Sequence, residues 1–260
     1  MAEQSSEHPL VSIIIPNFNY AVYLAEAIES ALNQDYPNIE VIVVDDGSKD
    51  DSLAVARRYP VQVIAQANCG LAAARNAGAA YAQGRYYVFL DADDTLDRRY
   101  VSCTVETLHA QPPEVAFAYT HVQTFGTESR RIEPGPFSVR AMVRANLAHA
   151  SSLIRAEAFK RVHGYDESWQ TAFEDHELWL CMLSRGYVGV LVPEPLLNYR
   201  QHGPSMSRIA SRAKWDAVRW RMRLRYPRYY WPKILAHPFR AAYWGYRLWR
   251  VGQHRGKSAA

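Results

Sequence analysis

Strand-like and helical segments alternate four times in the first hundred residues, and short polar loops join them. The first two strands are predicted at the apolar runs 10–16 (LVSIIIP) and 40–44 (EVIVV), the third at 61–65, and the fourth begins at Tyr86. Continuous β-branched runs are typical of strands buried on both faces, and this alternation with short loops produces parallel crossover units. The pattern predicts an α/β fold with an open, mostly parallel sheet flanked by helices.

Polar residues follow three of these strands at the point where each strand ends. They are residues 17–20 after the first strand, Asp45 and Asp46 after the second, and residues 91–94 after the fourth. In open doubly wound sheets, ligands bind beyond the carboxyl ends of the strands. We therefore expect these three groups to lie at one site.

The fourth strand runs into the segment YYVFLDADDTL at 86–96, which has three carboxylates within four positions: Asp91, Asp93 and Asp94. Like charges that close repel one another, so a cation is needed to keep all three ionised. A carboxylate cluster without cysteine favours a hard divalent ion, Mn²⁺ or Mg²⁺, which normally serves a phosphate-bearing ligand. The alternative is a solvated turn in which Asp94 or Thr95 caps the next helix, but it leaves Asp91 unexplained.

The sequence after Pro113 is less regular. Two long strands are predicted, at 115–125 and 188–199. The second is expected at an edge of the sheet, because Pro193 and Pro195 have no N–H group to donate to a neighbouring strand.

Composition excludes several classes of protein. The first eight residues lack the apolar core of a signal peptide, and no apolar run is long enough for a transmembrane helix. The three cysteines, Cys69, Cys103 and Cys181, are far apart and odd in number, which indicates a reducing compartment without a disulfide framework or zinc site. We therefore expect a cytoplasmic protein.

The net charge of +4 conceals an uneven distribution. Residues 208–260 contain fourteen Lys and Arg but one acid, Asp216, and they interleave Arg with Trp and Tyr. Two helices, at about 208–225 and 233–251, would give a basic, aromatic-rich amphipathic extension that suits an anionic membrane surface. The alternatives are packing against the rest of the chain, a homo-oligomer contact and, least favoured, a nucleic-acid patch; we expect no nucleic-acid partner.

Six motifs occur along the chain in a fixed order. They are VSIIIPNFN at 11–19, VVDDGSKDDS at 43–52, NCGLAAARNAG at 68–78, FLDADD at 89–94, FEDHELWL at 173–180 and YRQHGPSMS at 199–207. Together they resemble the inverting family 2 glycosyltransferases, which have the GT-A fold of the nucleotide-diphospho-sugar transferase superfamily. The resemblance implies a GT-A catalytic domain at 1–207, with a nucleotide-sugar half at about 10–110 and an acceptor half at about 111–207. The helical extension 208–260 lies outside it.

The resemblance also implies roles for the residues that match its motifs. Pro16 and Phe18 would line the nucleoside pocket, Asp46 would contact the base, and Asp45 would be structural. Nucleotide-sugar binding as a whole would use Pro16, Phe18, Asp46, Arg75, Asp91 and Asp93. Within that set, Arg75 would lie near base and phosphate, Asp91 would face the ribose, and Asp93 would bind the metal, with His202 as a second ligand. The role of Asp94 stays open.

On the acceptor side, Asp175 matches the catalytic base, and Glu174 and Trp169 could contact the acceptor. Inversion is a displacement at the anomeric carbon, so one carboxylate must take the proton of the attacking hydroxyl. Charge develops on the leaving diphosphate, and a divalent ion and basic groups on the opposite face stabilise it.

The resemblance implies a metal-dependent inverting transferase that moves one sugar from a nucleotide-diphosphate sugar, with UDP the favoured nucleotide, to a glycan or polyprenyl-linked acceptor. Such a reaction belongs to cell-surface polysaccharide synthesis at the inner face of the membrane. The QxxRW motif of processive synthases is absent, which favours addition of a single sugar.

Two alternatives are weighed against the transferase. The letters DADDT also satisfy the DxDxT pattern of haloacid-dehalogenase-like phosphatases, but three strand–helix units precede them and Lys160 is the only suitably placed lysine. A catalytically silent nucleotide-sugar-binding scaffold is disfavoured because every expected acid is present.

Overall fold

The computed structural model describes residues 8–169, 173–203 and 212–231. The chain divides into two compact units, residues 1–210 and 211–260. The finer division of the first unit into a nucleotide-sugar half and an acceptor half stays a prediction. The tail helix predicted at 233–251 lies outside the described residues, as do residues 204–207 of the sixth motif.

The first part of the chain contains five strands and four helices among the described residues. Their bounds are β1 Val11–Asn17, α1 Ala21–Leu32, β2 Ile39–Asp45, α2 Ser52–Ala56, β3 Gln62–Ala65, α3 Leu71–Tyr81, β4 Tyr86–Phe89, β5 Thr95–Leu96 and α4 Tyr100–His109. Strands β3, β2, β1 and β4 lie side by side in that order and are all parallel. This half of the sheet confirms the crossover pattern predicted from the sequence.

Strand β1 is buried along its whole length between β2 and β4. Asn17, its last residue, is opposite Asp45, the last residue of β2, and Leu90, which follows β4, donates its N–H to the carbonyl of Ile14. The polar residues that follow these three strands therefore emerge at the same edge of the sheet.

The remainder of the first unit continues the same sheet with mixed strand directions. Its elements are β6 Val115–Gly126, β7 Arg131–Ile132, α5 Val139–Arg144, β8 Leu153–Arg155, α6 Ala156–Arg161, α7 Glu174–Ser184 and β9 Val188–Gln201. After β4 the order is β8, β6, β9 and β5. Strand β8 is antiparallel to β4 and β6, and β9 is parallel to β6. The sheet is parallel in its first half and mixed in its second.

Strand β9 is not simply the edge strand predicted from its prolines. Its carboxyl end is covered by β5, where Thr95 pairs with Asn198 and Leu96 with Leu197. Pro195 is opposite His121 at an irregularity in the pairing of β6 with β9, so a bulge accommodates the proline.

The two-residue strand β5 also decides against the helix-cap alternative for Asp94 and Thr95. Thr95 lies in β5, and α4 begins at Tyr100 with Arg99 at its N-cap position. Asp94 is completely buried, and its Oδ1 accepts the backbone N–H of Arg200 at 2.9 Å. Asp94 therefore joins the loop after β4 to the end of β9.

The alanine-rich helix α3 packs closely against β1. A Cβ atom at Gly78 would lie 2.3 Å from Cγ2 of Ile14 and 3.0 Å from Cγ2 of Val44, so only glycine permits this approach. The side chain of Arg75, one turn earlier, is buried and lines the cavity described below.

The second unit contains two helices among its described residues, α8 Arg212–Arg225 and α9 Pro227–Tyr230. The rings of Trp220 and Trp231 lie 6.2 Å apart, and the guanidinium of Arg223 lies 5.3 Å from the centre of the Trp220 ring. Across the described parts of both units, no helix has the length and apolar character needed to cross a membrane.

Candidate active site

A cavity of about 460 Å³ opens at the carboxyl ends of β1, β2 and β4. It is lined by eight of the residues to which the sequence assigns a role: Pro16, Phe18, Asp46, Arg75, Asp91, Asp93, Glu174 and Asp175. The structure thus brings residues from all six motifs to one cavity, since Tyr199 of the sixth motif lines it as well. Two predicted site residues, Trp169 and His202, are not among its lining residues.

The β1 and β2 ends of the cavity are held together by two neighbouring carboxylates. Asp45 accepts hydrogen bonds from the Asn17 side chain and from the backbone N–H of Ser48, in agreement with a structural role. Asp46 accepts from Gln66 Nε2 and from the backbone N–H groups of Cys69 and Gly70, each at 2.8 Å. Asp46 therefore lines the cavity and also shapes the loop before α3.

Arg75 connects the two sides of the cavity. Its guanidinium is completely buried and donates to Asp91 Oδ1 at 2.6 Å and to Glu174 Oε1 at 2.7 Å. The ring of Tyr165 lies 5.1 Å from its Cζ. Burial opposes the charge, but Asp91, Tyr165 and Glu174 outweigh it and raise the pKa of Arg75 well above its usual range. Arg75 thus joins a residue that follows β4 to the first turn of α7.

The acidic loop after β4 is anchored by the end of β9. Arg200 Nε donates to the carbonyl of Asp93 at 2.8 Å, and the Arg200 guanidinium lies 4.3 Å from the Phe125 ring centre. Asp93 Oδ2 is 2.8 Å from His202 Nε2. Burial and the charge of Asp91 raise the pKa of Asp93, and the His202 contact opposes that rise.

The first turn of α7 also contributes to the cavity, through Glu174 and Asp175. Asp175 Oδ1 accepts the backbone N–H of His176 at 2.7 Å, and Oδ2 accepts from Asn146 Nδ2 at 2.6 Å. Burial and the charge of Glu174 raise the pKa of Asp175 to about 7, and Arg75 opposes that rise. Phe173, just before the helix, has a φ of 69°, a left-handed conformation that is uncommon for a bulky residue and is often found at functional sites.

A family model described as glycosyl transferase family 2 matches residues 12–162, more than half of the chain. The chain belongs to this family. It is therefore a glycosyltransferase, as the order of the six motifs predicts. The match does not favour the phosphatase alternative, because it includes the DADDT segment within a transferase domain.

Several curated proteins resemble this family 2 glycosyltransferase. The putative glycosyltransferase EpsE of Bacillus subtilis (strain 168) is 30% identical over 211 residues, which is 77% of this chain and 76% of EpsE. The chondroitin synthase of Escherichia coli is 31% identical over 181 residues, 66% of this chain and 26% of the synthase. An uncharacterized glycosyltransferase of Rickettsia prowazekii (strain Madrid E) is 30% identical over 190 residues, 68% of this chain and 59% of that protein. The chain thus spans less than two thirds of the last two relatives.

Solved structures confirm the GT-A fold of this glycosyltransferase. S. aureus TarS 1–349 in complex with UDP-GlcNAc superposes with a TM-score of 0.65 at 17% identity, covering 81% of this chain and 64% of that one. The mannosyltransferase PcManGT from Pyrobaculum calidifontis, in complex with GDP-Man and Mn²⁺, has a TM-score of 0.60 at 22% identity and covers 76% of this chain and 58% of its own.

Two sets of side chains in the glycosyltransferase could hold a divalent cation. The first is the predicted pair Asp93 and His202, whose nearest side-chain atoms are 2.8 Å apart. The second, found by proximity among the described residues, is Asp91, Asp94 and His149, whose ligand atoms lie within 4.8 Å of one another. Both sets combine carboxylate oxygen with imidazole nitrogen, which suits Mn²⁺.

The environments of Asp94 and His149 in the second set also favour the binding of a cation. Asp94 Oδ2 is buried and has no hydrogen-bond partner in the described part of the chain. Burial, Asp93 and Asp91 raise the pKa of Asp94 well above its usual range. Burial lowers the pKa of His149, which favours the neutral imidazole that binds metals. A cation would satisfy the orphaned oxygen and offset the repulsion between the acids.

The structure differs from the sequence-based expectation at two places near the cavity: a predicted residue is missing from its lining, and a residue with no predicted role is part of it. Trp169 is 4% exposed and is buried away from the cavity lining, so the structure does not bring this predicted acceptor contact to the site. His149, which no motif includes, lines the cavity, and Asn146, also outside the motifs, donates to Asp175. Their segment, NLAHA at 146–150, has no acidic cluster or glycine pattern, so no sequence signal pointed to it.

Proposed function

We propose that the protein transfers one sugar, with inversion, from a nucleotide-diphosphate sugar to a hydroxyl of a glycan or polyprenyl-linked acceptor. The observation that carries the proposal is a single cavity lined by Asp46, Asp91 and Asp93, which follow β2 and β4, and by Asp175 from the first turn of α7. Donor chemistry and proton removal need separate groups of this kind. The relatives include a chondroitin synthase, and this supports a role in polysaccharide synthesis.

In the proposed reaction, Asp175 accepts the proton of the attacking hydroxyl. Its hydrogen bonds to His176 and Asn146 hold the carboxylate in one orientation. A pKa of about 7 suits a general base that works near neutral pH. The charge of Glu174 raises the pKa of Asp175, and an ion pair with Arg75 holds the Glu174 side chain. Because Glu174 also lines the cavity, we propose direct contact with the acceptor as its second role.

The donor would bind along the β1, β2 and β4 ends of the cavity. Pro16 and Phe18 would contact the nucleoside, Asp46 the base and Asp91 the ribose, whereas Asp93 and His202 would hold Mn²⁺ or Mg²⁺. A bound divalent cation neutralises charge on the leaving diphosphate. The Mn²⁺ in the PcManGT complex supports the choice of a divalent cation. The UDP-GlcNAc in the TarS complex supports UDP, which is the nucleotide we favour.

A thermal-shift screen of UDP, GDP and their sugars, with and without Mn²⁺, tests the donor assignment. We expect UDP with Mn²⁺ to raise the Tm, because a ligand at 100 times its Kd stabilises the folded state by about 2.7 kcal/mol. Asp93→Asn should remove the metal-dependent part of the shift. Asp35→Asn, which neutralises an exposed acid, should leave that part unchanged.

A shift by UDP that is the same with and without Mn²⁺ would refute the metal assignment while supporting the nucleotide. If no nucleotide changes the Tm under any condition, the proposal that this cavity binds a nucleotide sugar is wrong. A larger rise in Tm with GDP than with UDP would make GDP the favoured nucleotide.

We further infer that the extension 208–260 associates with an anionic membrane surface, which would place the 1–207 catalytic domain at the inner face of the membrane. In α8, exposed arginines interleave with the exposed apolar side chains of Trp220 and Leu224, which are 38% and 61% exposed. Basic and apolar side chains on one helix favour the interface of anionic lipids. Polyprenyl-linked acceptors would be found at that surface.

Flotation of the full chain with vesicles tests the membrane proposal. We expect binding to phosphatidylglycerol vesicles but not to phosphatidylcholine vesicles. Because each basic side chain near such a surface contributes about 1 kcal/mol, Arg219→Glu with Arg221→Glu should remove most of the binding. The control pair Arg57→Glu with Arg58→Glu, which reverses two exposed charges in the first unit, should bind normally.

Equal flotation of the two double variants would disprove the membrane role of α8. If neither vesicle binds and the Arg219/Arg221 variant instead changes the mass measured by light scattering, the extension would be a homo-oligomer contact.

A further inference from the structure

We propose that Asn146 is a positioning residue for Asp175, held in place by the backbone of the segment 142–150. The inference rests on the proposed role of Asp175 as the base. Asn146 is 29 positions from Asp175, and its side-chain amide donates to Asp175 Oδ2 at 2.6 Å. Asn146 would therefore act on the reaction through the orientation of the Asp175 carboxylate.

The hydrogen bonds to Asp175 define where it can accept a proton. Oδ1 accepts the backbone N–H of His176, and Oδ2 accepts the side-chain amide of Asn146. A carboxylate oxygen has two lone pairs, so each oxygen retains one that could accept the proton of an acceptor hydroxyl. Because the carboxylate can otherwise rotate about its Cβ–Cγ bond, Asn146 and the His176 N–H together fix the orientation in which these lone pairs are presented.

The backbone around Asn146 is attached to the same helix that carries Asp175. His176 Nε2 donates to the carbonyl of Met142 at 2.7 Å, and Trp179 Nε1 donates to the carbonyl of Ala148 at 2.9 Å. Both contacts are buried. They attach α7 to the chain on either side of Asn146. The Asn146 amide and the Asp175 carboxylate are therefore held at a fixed distance from each other.

The segment also reaches the other side of the cavity. His149 and Ala150 line the cavity, and His149 lies in the cluster with Asp91 and Asp94. Its backbone carbonyl accepts from the N–H and hydroxyl of Ser152, which holds this turn closed. A segment fixed at both sides of the site is suited to set the distance between the base and the donor, a quantity on which transfer depends strongly.

The charged and polar groups around Asp175 determine what the loss of Asn146 does. Burial and then Glu174 on α7 raise the pKa of Asp175; Arg75 on α3 and the hydrogen bonds from His176 and Asn146 lower it. The Tyr165 hydroxyl also lies within electrostatic range, and His149 lines the same cavity. Removal of Asn146 takes away a group that stabilises the ionised carboxylate, so Asp175 should ionise at a higher pH.

The test compares Asn146→Ala and Asn146→Asp with Asn38→Ala. Asn38 is exposed, and its amide donates to the carbonyl of His8, so its removal matches the loss of one amide hydrogen bond away from the site. Carboxyl ¹³C NMR, with Asp175 assigned by its absence in Asp175→Asn, measures the ionisation of Asp175 directly. We expect the Asp175 titration to rise by about one pH unit in Asn146→Ala, more in Asn146→Asp, and not at all in Asn38→Ala.

The kinetic readout is UDP release from UDP-GlcNAc, UDP-glucose and UDP-galactose, with water as the acceptor. Asn146→Ala should lower kcat about 10-fold or more, leave the KM of the UDP-sugar unchanged and move the acid limb of the pH profile upward. Cooperative thermal unfolding at the parent Tm, with the same Mn²⁺-dependent UDP shift, would establish that both Asn146 variants are folded.

An unchanged Asp175 titration and unchanged kcat in Asn146→Ala would overturn the inference. That result would leave the proposed function standing if Asp175→Asn is inactive. Activity in Asp175→Asn would instead remove the proposed base. An Asn146→Ala protein that unfolds, together with a folded Asn146→Asp protein whose Asp175 titrates as in the parent, would assign Asn146 a purely structural role and also overturn the inference.

Discussion

Asp175→Asn is expected to lower the rate of sugar transfer by about 10²–10⁴-fold, the usual contribution of a general base, while leaving donor binding intact. The amide has nearly the shape of the carboxylate and can still accept the backbone N–H of His176, which Asp175 Oδ1 accepts at 2.7 Å. It cannot take a proton from the acceptor. The loss should appear in kcat, measured with the nucleotide sugar that gives the largest thermal shift, and UDP affinity measured by calorimetry should stay constant.

Asp51→Asn provides the matched control for this substitution. Asp51 is exposed at the N-cap of α2 and makes no side-chain capping hydrogen bond, so its neutralisation should leave kcat unchanged. Near-normal turnover in Asp175→Asn would show that another group removes the proton, and the assignment of the base would then be wrong.

Arg75→Met should cause the largest loss of stability of any variant considered for this protein. The substitution keeps much of the side-chain volume but leaves Asp91 and Glu174 without their shared partner. Both carboxylates are largely buried, with side chains 25% and 10% exposed. Breaking a buried ion pair by removing one partner costs about 3–5 kcal/mol, because the remaining charge is desolvated and unpaired. We expect the Tm to fall by roughly 6–20 °C.

Thermal and urea unfolding of Arg75→Met, Arg75→Lys and Arg98→Met test this expectation. Lysine restores the charge but cannot reproduce the two-armed geometry of the guanidinium, so Arg75→Lys should fall between the parent and Arg75→Met. Arg98 is exposed, and its replacement should change the free energy of unfolding by no more than about 0.5 kcal/mol. A Tm for Arg75→Met equal to that of the parent would mean that the bridge contributes nothing to stability.

The edge of the sheet at which the cavity opens was predictable from local patterns and a topological rule. Apolar strands that end in polar residues locate Asp46, Asp91 and Asp93, and the parallel order of β2, β1 and β4 brings those ends together. Strand–helix alternation is a short-range property of the chain, and its consequence for the sheet is nearly invariant. The resemblance of the motifs to a known family then indicated chemistry that spacing alone could not.

Predictions were less successful where one element is placed by a distant one. The prolines of β9 predicted an edge strand, but a strand of two residues, β5, pairs with β9 and lies outside it, and no periodicity marks so short an element. Trp169 was assigned to the acceptor on its residue type alone, and packing buries it. Residue type indicates what a side chain can do but not which way the tertiary structure orients it.

The sequence alone was sufficient for the α/β class, the parallel crossover pattern of the first strands and the expectation that Asp46, Asp91 and Asp93 lie at one site. Only the tertiary structure revealed that Arg75 bonds both to Asp91, 16 positions along the chain, and to Glu174, 99 positions along it. It also revealed that Asp94 is buried and accepts from Arg200, and that Asn146 donates to Asp175. The physical reason is that backbone propensity and hydrophobic period act over a few residues. A hydrogen bond between residues far apart in the chain depends on geometry in three dimensions and leaves no periodic trace in the intervening sequence.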